Sequence, residues 1–225
     1  MRLIGRMSGV AMTVLCATLT CGTGPASAAS FTRIATWDMD ETSRTTMTDS
    51  TSAAGMSNGT THSVQLGVPG KDGKAYSFNG TSSYVSVPSS GLNPHSSPVK
   101  VTIYLKTTKL PPSNDWDLVR KGYYSTAGGE FKVELMPSGR ASCGFKGSSG
   151  YAQLEAGPRN LNNGAWHMVS CIKENSSIQL RVDGQSFTKR ATVGSISNSR
   201  PVIIGAYPGS EYFHGLLDEA SISFG

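Results

Sequence analysis

Three charged residues in one strand-like segment are the first candidates for chemistry in this 225-residue sequence. Glu130, Lys132 and Glu134 alternate with apolar residues, so they share one face of a strand over residues 130–135. A retaining glycoside hydrolase needs two carboxyl groups about 5–5.5 Å apart on one face. Two glutamates that flank a lysine are more simply a solvent-exposed face of mixed charge, and we interpret them so.

Other catalytic arrangements are also missing from the sequence. Asp218 and Glu219 are neighbours, so their side chains point to opposite faces of a strand and cannot act as a pair. There is no Gly-x-Ser-x-Gly nucleophile motif. The histidines lack zinc-binding spacing; they are His62, His95, His167 and His214. We interpret His167 as a hydrogen-bonded core histidine and predict no catalytic residue.

The N-terminus has the composition of a secretory signal peptide. Arg2 and Arg6 precede a mostly apolar run at residues 7–19, and the small residues at 26–28 suit signal peptidase. The apolar run is shorter than the roughly 20 residues that span a bilayer, so no membrane span is expected. We therefore predict a signal peptide at residues 1–29 and a secreted mature domain at residues 30–225.

Cysteine use agrees with export. Cys16 and Cys21 lie in the predicted leader, which leaves Cys143 and Cys171 as the pair that meets an oxidising compartment. Free thiols or a metal pair lack the compartment and the ligand spacing, so a Cys143–Cys171 disulfide is predicted. Lipid modification of Cys21 is disfavoured because Thr20 is not the small residue that usually precedes such a cysteine.

Charge and length narrow the class of protein. Without the two arginines of the leader, 18 of the 20 basic residues remain against 15 acidic ones. These charges are interspersed, so no basic cluster could follow a phosphate backbone, and no nucleic-acid partner is expected. Residues 30–225 are one domain by size and are long enough to bury a two-sheet core.

Short alternating segments between Gly, Pro, Asn and Ser predict an all-β protein. Asp183-Gly184 is a strong hairpin turn, and residues 41–63 are polar and are interpreted as a long surface loop. The run at 166–172 is apolar on both faces and is typical of a central strand. The predicted strands are residues 76–78, 84–87, 99–106, 118–121, 130–135, 140–146, 166–172, 178–182, 202–205 and 216–224.

Aromatic residues in predicted loops are the candidates for sugar binding. Sugars present apolar C–H faces and hydroxyl groups, so their sites combine an exposed ring with polar groups. Each candidate has a plainer alternative: the tryptophan could tuck under the sheet edge, and a tyrosine could pack its ring locally. Trp166, by contrast, is interpreted as core. The candidates are Trp116, Tyr123, Tyr124, Tyr207 and Tyr212.

Several motifs follow one another in a characteristic order along the chain. They are Trp37 with 40–41, 49–50, 70–80, 84–88, 164–167, 182–184 and 215–219. Their order resembles that of bacterial laminin-G-like domains of the concanavalin A-like lectin/glucanase superfamily. Tyr104 departs from this pattern, because relatives often carry Trp there. The resemblance implies an antiparallel two-sheet jelly-roll sandwich and an extracellular binding context, and the paired cysteines look like a disulfide of secreted bacterial versions.

The same resemblance implies a structural calcium ion. Jelly rolls of this superfamily often hold Ca²⁺ where the N-terminal strand, an early strand end and the last strand meet. The corresponding ligands here would be Asp40, Asn79 with the backbone of Gly80, and Asp218; the alternative is that Asn79 and Asp218 cap strand ends. The acid motif Glu-x-Asp-x-x-Glu of the superfamily's glucanases is missing.

These observations predict a secreted, single-domain, non-catalytic binding module for extracellular carbohydrate. Two alternatives stay open: a cell-envelope protein-interaction or structural module without a glycan site, and a glycan-cleaving enzyme with an unfamiliar site. The expected partner is accordingly an extracellular glycan or a cell-envelope protein, and we expect a monomer.

Overall fold

The computed structural model describes residues 30–51 and 55–225. Within these residues the secondary structure consists of strands and turns, without any helix. No helix long and apolar enough to cross a membrane occurs in these ranges. The predicted signal peptide at residues 1–29, with Cys16 and Cys21, lies outside the described residues.

Sixteen strands account for the described part of the chain. In chain order they are β1 Thr32–Trp37, β2 Thr46–Met47, β3 Gly59–His62, β4 Gln65–Pro69, β5 Lys74–Asn79, β6 Tyr84–Val87, β7 Val99–Lys106, β8 Trp116–Lys121, β9 Glu130–Leu135, β10 Ala141–Gly147, β11 Gly150–Ala156, β12 His167–Lys173, β13 Ser177–Val182, β14 Gln185–Arg190, β15 Val202–Ile204 and β16 His214–Phe224.

The strands form two antiparallel sheets of eight strands each. Sheet A has the order β14-β13-β12-β7-β16-β5-β4, and β1 also pairs with β16. Sheet B has the order β11-β10-β9-β8-β15-β6-β3-β2. Every pairing between these strands is antiparallel. The predicted all-β, two-sheet jelly-roll sandwich is confirmed.

One apolar layer from each sheet forms the core. Successive side chains of a strand point to opposite faces, so every second residue of β7 and β9 is directed inward. Burying a side chain of this size contributes about 1.5–3 kcal/mol, which makes the layer the main source of stability. The inward residues of these two strands are at most 1% exposed; they are Val99, Val101, Ile103, Leu105, Phe131, Val133 and Leu135.

A disulfide joins the two sheets through this core. Cys143 of β10 in sheet B is bonded to Cys171 of β12 in sheet A, with 5.5 Å between their Cα atoms. Both cysteines are fully buried. The predicted pairing is confirmed, and the bridge fixes one sheet against the other where β10 and β12 face each other.

The segment predicted as a surface loop, residues 41–63, contains β2 and β3 and is better anchored than its polar composition suggests. The buried carboxylate of Asp49 accepts hydrogen bonds from the backbone N–H groups of Thr36 (3.1 Å) and Thr51 (3.0 Å). The indole N–H of Trp37 donates to the carbonyl of Ser57 at 2.8 Å. The loop interpretation was therefore wrong for β2 and β3, because polar side chains satisfy the backbone there.

Strands β11 and β14 were not predicted, and both lie at the edge of a sheet. An edge strand has solvent on several sides, so its sequence alternates weakly. The burial pattern of β14 shows this, since five of its six residues are exposed and one is half-buried. Trp166 was interpreted as core within a strand; it lies just before β12 and is half-buried.

Replacing both cysteines should lower stability without changing the fold. The disulfide closes a loop of 28 residues, and the chain-entropy model assigns such a loop about 3.5 kcal/mol of unfolding free energy. We expect Cys143→Ala/Cys171→Ala to unfold at lower guanidinium concentration by that order of free energy. Wild type with reductant is the matched control and should behave like the variant; equal midpoints for oxidised wild type and the variant would contradict the prediction.

Candidate functional site

The outer face of sheet B, directed away from sheet A, carries a row of charged side chains. Phe131, Val133 and Leu135 of β9 point into the core, so the residues between them point outward. Arg120 of β8 stands opposite Lys132 of β9 in the strand register. The alternation that builds the core therefore also places these charges together.

Arg120 connects this face to the loops around it. Its guanidinium pairs with Asp117 of the same strand and with Glu130 of β9, 3.2 Å away. It lies 3.8 Å from the carboxylate of Glu211, which belongs to the connection between β15 and β16. Its Nε donates to the carbonyl of Gly122 at 3.1 Å. A planar guanidinium can satisfy several acceptors in this way, whereas an ammonium group cannot match the same geometry.

Lys132 is the second cation of the face. Its ammonium group pairs with Glu134 on the same strand and lies 3.9 Å from the carboxylate of Asp115. Its stem crosses Gly144 of β10, where an added Cβ would meet the Lys132 side chain at 2.8 Å. The absence of a side chain at Gly144 therefore leaves the space in which Lys132 lies.

The charged side chains of this face are buried. The prediction that Glu130 and Glu134 lie on a solvent-exposed face was therefore wrong. Glu130 is 1% exposed and Glu134 and Asp117 are 0% exposed. Strand alternation alone cannot reveal this, because the cover comes from loops that are distant in sequence. Asp115 and Glu211, whose side chains are 16% and 20% exposed, supply part of that cover.

Burial controls the proton affinity of these carboxyl groups. Loss of water raises the pKa of Asp117, Glu130 and Glu134, and the nearby cations oppose that rise. Burial alone would lower the pKa of Arg120, but the carboxylates of Asp117 and Glu130 raise it instead. The site therefore holds closely coupled charges in a poorly hydrated environment.

Three of the predicted tyrosines lie beside this network. The rings of Tyr123 and Tyr207 meet edge to face with centroids 4.8 Å apart. The Arg120 guanidinium lies 5.0 and 4.6 Å from their respective centroids, and that of Arg200 lies 5.1 Å from the Tyr123 centroid. The Tyr212 hydroxyl oxygen accepts a hydrogen bond from a backbone N–H of the same loop at 2.8 Å. All three rings are half-buried.

The fourth tyrosine, Tyr124, belongs to a more exposed pair. It is 61% exposed and packs edge to face on Tyr151 of β11, which is 41% exposed, with centroids 5.3 Å apart. The Lys146 ammonium group lies 4.0 Å from the Tyr124 centroid. Tyr151 was not predicted, because β11 itself was not.

Trp116 is the first residue of β8 and does not lie in a loop. It is 7% exposed and packs edge to face on Phe213, with ring centroids 5.7 Å apart. This packing agrees with the plainer alternative, in which Trp116 tucks under the sheet edge. Only its rim reaches a surface cavity, so it cannot present a full ring to a sugar.

That cavity opens beside the charged face and has a volume of about 500 Å³. The segments 112–116 and 209–212 form its walls, and Asp115, Glu211 and Tyr212 are among its lining residues. A neighbouring cavity of about 490 Å³ lies over the ends of β5, β7 and β16 and lacks carboxylates. The first cavity is the candidate site, because aromatic and charged side chains converge there.

The four predicted calcium ligands do not converge. Asp40 Oδ1 accepts the N–H of Lys74 at 2.6 Å, and Asp218 Oδ2 accepts the N–H of Lys71 at 2.7 Å, so these two carboxylates serve one turn. Asn79 Oδ1 instead accepts hydrogen bonds from three backbone N–H groups of residues 81–83. Asn79 therefore caps the end of its strand, as in the alternative interpretation without calcium.

Register also separates these ligands. In the β5–β16 pairing, Asn79 stands opposite His214, whereas Leu217, the neighbour of Asp218, stands opposite Tyr76. Three residues along a strand correspond to about 10 Å, too far for one ion. A calcium ion at Asp40 and Asp218 stays a prediction, and Asn79 and Gly80 lie outside such a site.

A different acidic cluster has metal-ligand spacing. Asp115, Asp117 and Glu211 each place one carboxylate oxygen within 4.8 Å of the others. In residues 30–51 and 55–225 this is the only such group of three or more His, Cys, Asp or Glu residues. The cluster could hold a metal ion. This cluster is hard to recognise in the sequence, because Glu211 lies almost 100 positions from the two aspartates.

Both ring nitrogens of His167 have hydrogen-bond partners. Its Nδ1 lies 2.7 Å from an Asp183 oxygen and its Nε2 lies 3.0 Å from the Asn163 side-chain oxygen. It is 8% exposed and belongs to sheet A, away from the charged face. The interpretation as a hydrogen-bonded core histidine agrees with these contacts.

Comparison with known proteins identifies the family. Residues 79–223 match a laminin-G family model described as the concanavalin A-like lectin/glucanases superfamily. The match covers more than half of the chain, and the chain belongs to this family. No curated protein matches it.

Solved structures agree with this assignment at the level of the fold. Domain 4 of an extracellular arabinanase from Geobacillus stearothermophilus, solved with arabinotriose, is similar over 88% of this chain and 94% of its own (19% identity, TM-score 0.59). Laminin α1 domains LG4-5 from mouse are similar over 66% of this chain and 40% of their own, with 20% identity and a TM-score of 0.54. A structure of botulinum neurotoxin type C, a toxin whose cell entry depends on interaction with two ganglioside molecules, is similar over 84% of this chain and 47% of its own. The identity is 10% and the TM-score is 0.61.

Identities at or below 20% show that the fold is shared and nothing further. This chain spans less than half of the laminin and neurotoxin chains, and nearly all of the arabinanase domain.

Asp218→Asn should change how stability depends on pH. Burial raises the pKa of Asp218 to about 6, and the charge of Asp40 adds to the rise. This is above the value of about 3.9 in an unfolded chain, so the folded state binds the proton more tightly. The stabilising effect is complete below about pH 4 and is lost as pH rises through 6.

We therefore expect wild type to lose stability relative to Asp218→Asn between pH 4 and 7 in urea denaturation. Glu155→Gln, which changes an exposed carboxylate of β11, is the control and should follow wild type. Parallel profiles for wild type and Asp218→Asn would show that the carboxyl group has an ordinary pKa.

Gly144→Ala should disturb the charged face by displacing Lys132. The new Cβ would meet the lysine stem at 2.8 Å, and a shifted Lys132 would leave the buried carboxylate of Glu134 unpaired. We expect a loss of about 1–3 kcal/mol in unfolding free energy. In a Lys132→Ala background the same change should cost much less, and equal costs in both backgrounds would argue against the contact.

Proposed function

We propose that this protein is a secreted, non-catalytic binding module that holds extracellular carbohydrate in the cavity beside the charged outer face of sheet B. The observation that carries the proposal is that Tyr123 and Tyr207 lie against Arg120, while Tyr212, from the same loop as Tyr207, lines the cavity beside Glu211. Tyrosine rings can pack on the apolar faces of sugars, while arginine and carboxylate groups bind hydroxyls. The cavity wall and the adjoining Tyr123–Tyr207 pair beside Arg120 together provide both kinds of contact.

The comparisons support a binding role. One similar structure, the arabinanase domain, is in complex with arabinotriose, and the cell entry of botulinum neurotoxin type C depends on interaction with two ganglioside molecules. Several of the similar structures are of receptor-binding or laminin LG domains rather than of catalytic domains. The cavity of this chain, together with these similar structures, supports a carbohydrate ligand.

The pairing of the acidic side chains supports a non-catalytic role. Asp117 and Glu130 share Arg120, and Glu134 pairs with Lys132 and accepts a hydrogen bond from the Gln153 amide at 3.2 Å. A general acid must be able to release its proton to the leaving group. Carboxylates that are held by cations and oriented by neighbours are better suited to a fixed polar surface.

We further propose that the domain comprises residues 30–225, is exported, and acts as a monomer. β1 pairs with β16 from Thr32 opposite Phe224, so both ends of this range belong to one sheet. The buried disulfide suits an oxidising compartment. The large exposed apolar residues of the described chain are Met56, Tyr124 and Tyr151, which do not make the broad apolar patch of a stable dimer or protein-docking face.

A glycan array followed by titration of the best ligand tests the proposal. We expect Tyr123→Ala and Tyr207→Ala to weaken glycan binding at least tenfold, because each removes a ring beside Arg120. Tyr104→Ala on sheet A is the matched control and should bind like wild type. Circular dichroism melts show whether each variant is folded.

Three results would contradict the proposal. If no glycan binds, the cell-envelope interaction module becomes the better interpretation. If Tyr104→Ala loses binding while Tyr123→Ala and Tyr207→Ala keep it, the site lies on the opposite sheet. Hydrolysis of a bound glycan by the purified protein would show that the protein is an enzyme.

A further inference from the structure

We propose that Asp115, Asp117 and Glu211 bind a divalent cation of the calcium type at the wall of the candidate cavity. The three residues come from two parts of the chain: Asp117 lies on β8, Asp115 precedes it, and Glu211 belongs to the connection between β15 and β16. An ion here would join that connection to sheet B.

The spacing of the oxygen atoms fits one ion. Calcium–oxygen distances are about 2.3–2.6 Å, so two ligand oxygens on opposite sides of an ion lie about 5 Å apart. The three carboxylates place their oxygens within 4.8 Å of one another. All three can therefore contact a single ion without moving a strand.

Two of these carboxylates have a buried oxygen that lacks a hydrogen-bond partner. Asp117 is fully buried, and its Oδ1 is unpartnered, while its Oδ2 pairs with Arg120. Asp115 Oδ1 is also buried without a partner. A buried carboxylate oxygen without a donor is costly, because it has given up its water and gained nothing in return. A cation beside these oxygens would satisfy both.

The surrounding charge also favours a cation. Among the described residues, the connected ion pairs of this face join five carboxylates to two cations, Arg120 and Lys132. The remaining carboxylates of that network are Glu130 and Glu134. With all five carboxyl groups ionised, three negative charges would be in excess in a poorly hydrated environment, and a divalent ion would offset two of them.

The chemistry of the ligands selects the metal class. All three are carboxylates, with neither histidine nor cysteine in the cluster, so zinc and copper are disfavoured. Calcium accepts six to eight oxygens in a flexible arrangement, whereas magnesium retains most of its water. Because Asp115 and Glu211 line the open cavity, water or a ligand hydroxyl can complete the coordination.

Calorimetric titration of the purified, chelator-treated protein with calcium chloride tests this site. We expect a calcium affinity at this site that is at least tenfold weaker in Glu211→Gln and in Asp115→Asn than in wild type. Both changes keep the side-chain volume and affect residues that are partly exposed, so folding should be retained. Asp117→Asn is avoided, because Asp117 also pairs with Arg120.

Terbium provides a second readout that reports position. A Tb³⁺ ion bound at Asp115 and Asp117 would lie next to Trp116 in the chain, so excitation of tryptophan should give sensitised terbium emission that calcium displaces. Glu211→Gln should weaken this signal in parallel with its calorimetric affinity.

Asp218→Asn and Asp40→Asn are the matched controls, because they remove carboxylates at the other predicted calcium position. Both should bind calcium like wild type if the proposal is correct. Failure to bind calcium at millimolar concentration would overturn it, and so would loss of binding in the Asp218 and Asp40 variants but not in Glu211→Gln. Neither outcome depends on a glycan, so the carbohydrate proposal is tested separately.

Discussion

Arg120 ties the outer face of sheet B to the loops that cover it. Its guanidinium contacts carboxylates from β8, β9 and the β15–β16 connection, and lies against the rings of Tyr123 and Tyr207. Removing one partner of a buried ion pair costs about 3–5 kcal/mol, since the other charge is left uncompensated. The candidate cavity therefore depends on this one side chain for the placement of its loops.

Most of the fold could be predicted because its stability comes from a simple alternation. The patterns in β7 and β9 gave their bounds correctly, since one face of each strand meets the core and the other does not. β11 and β14 could not be predicted in the same way, because edge strands lack that contrast. The prediction missed β2 and β3 for a different reason, because hydrogen bonds to Asp49, and not an apolar pattern, anchor that region.

The candidate site was harder to predict than the fold. Four tyrosines were chosen for their place in loops. The structure packs Tyr123 and Tyr207 together beside Arg120 and places Tyr212 in the cavity wall, but Trp116 lies in a strand with its ring in the core. Burial of the charges at Glu130 and Glu134 depends on loops far away in sequence. Local spacing cannot show which loop covers which strand, so neither Arg120 nor Glu211 could be recognised beforehand.

Hydrogen exchange measured by mass spectrometry on Arg120→Lys tests the central claim most directly. Lysine keeps the charge but loses the planar set of donors. We predict faster exchange of the backbone amides in residues 122–129 and 206–213, where few turn hydrogen bonds protect them, with unchanged exchange in β7 and β12 of sheet A. Unchanged exchange in both loops, or equal acceleration throughout the protein, would contradict the claim that Arg120 positions the site.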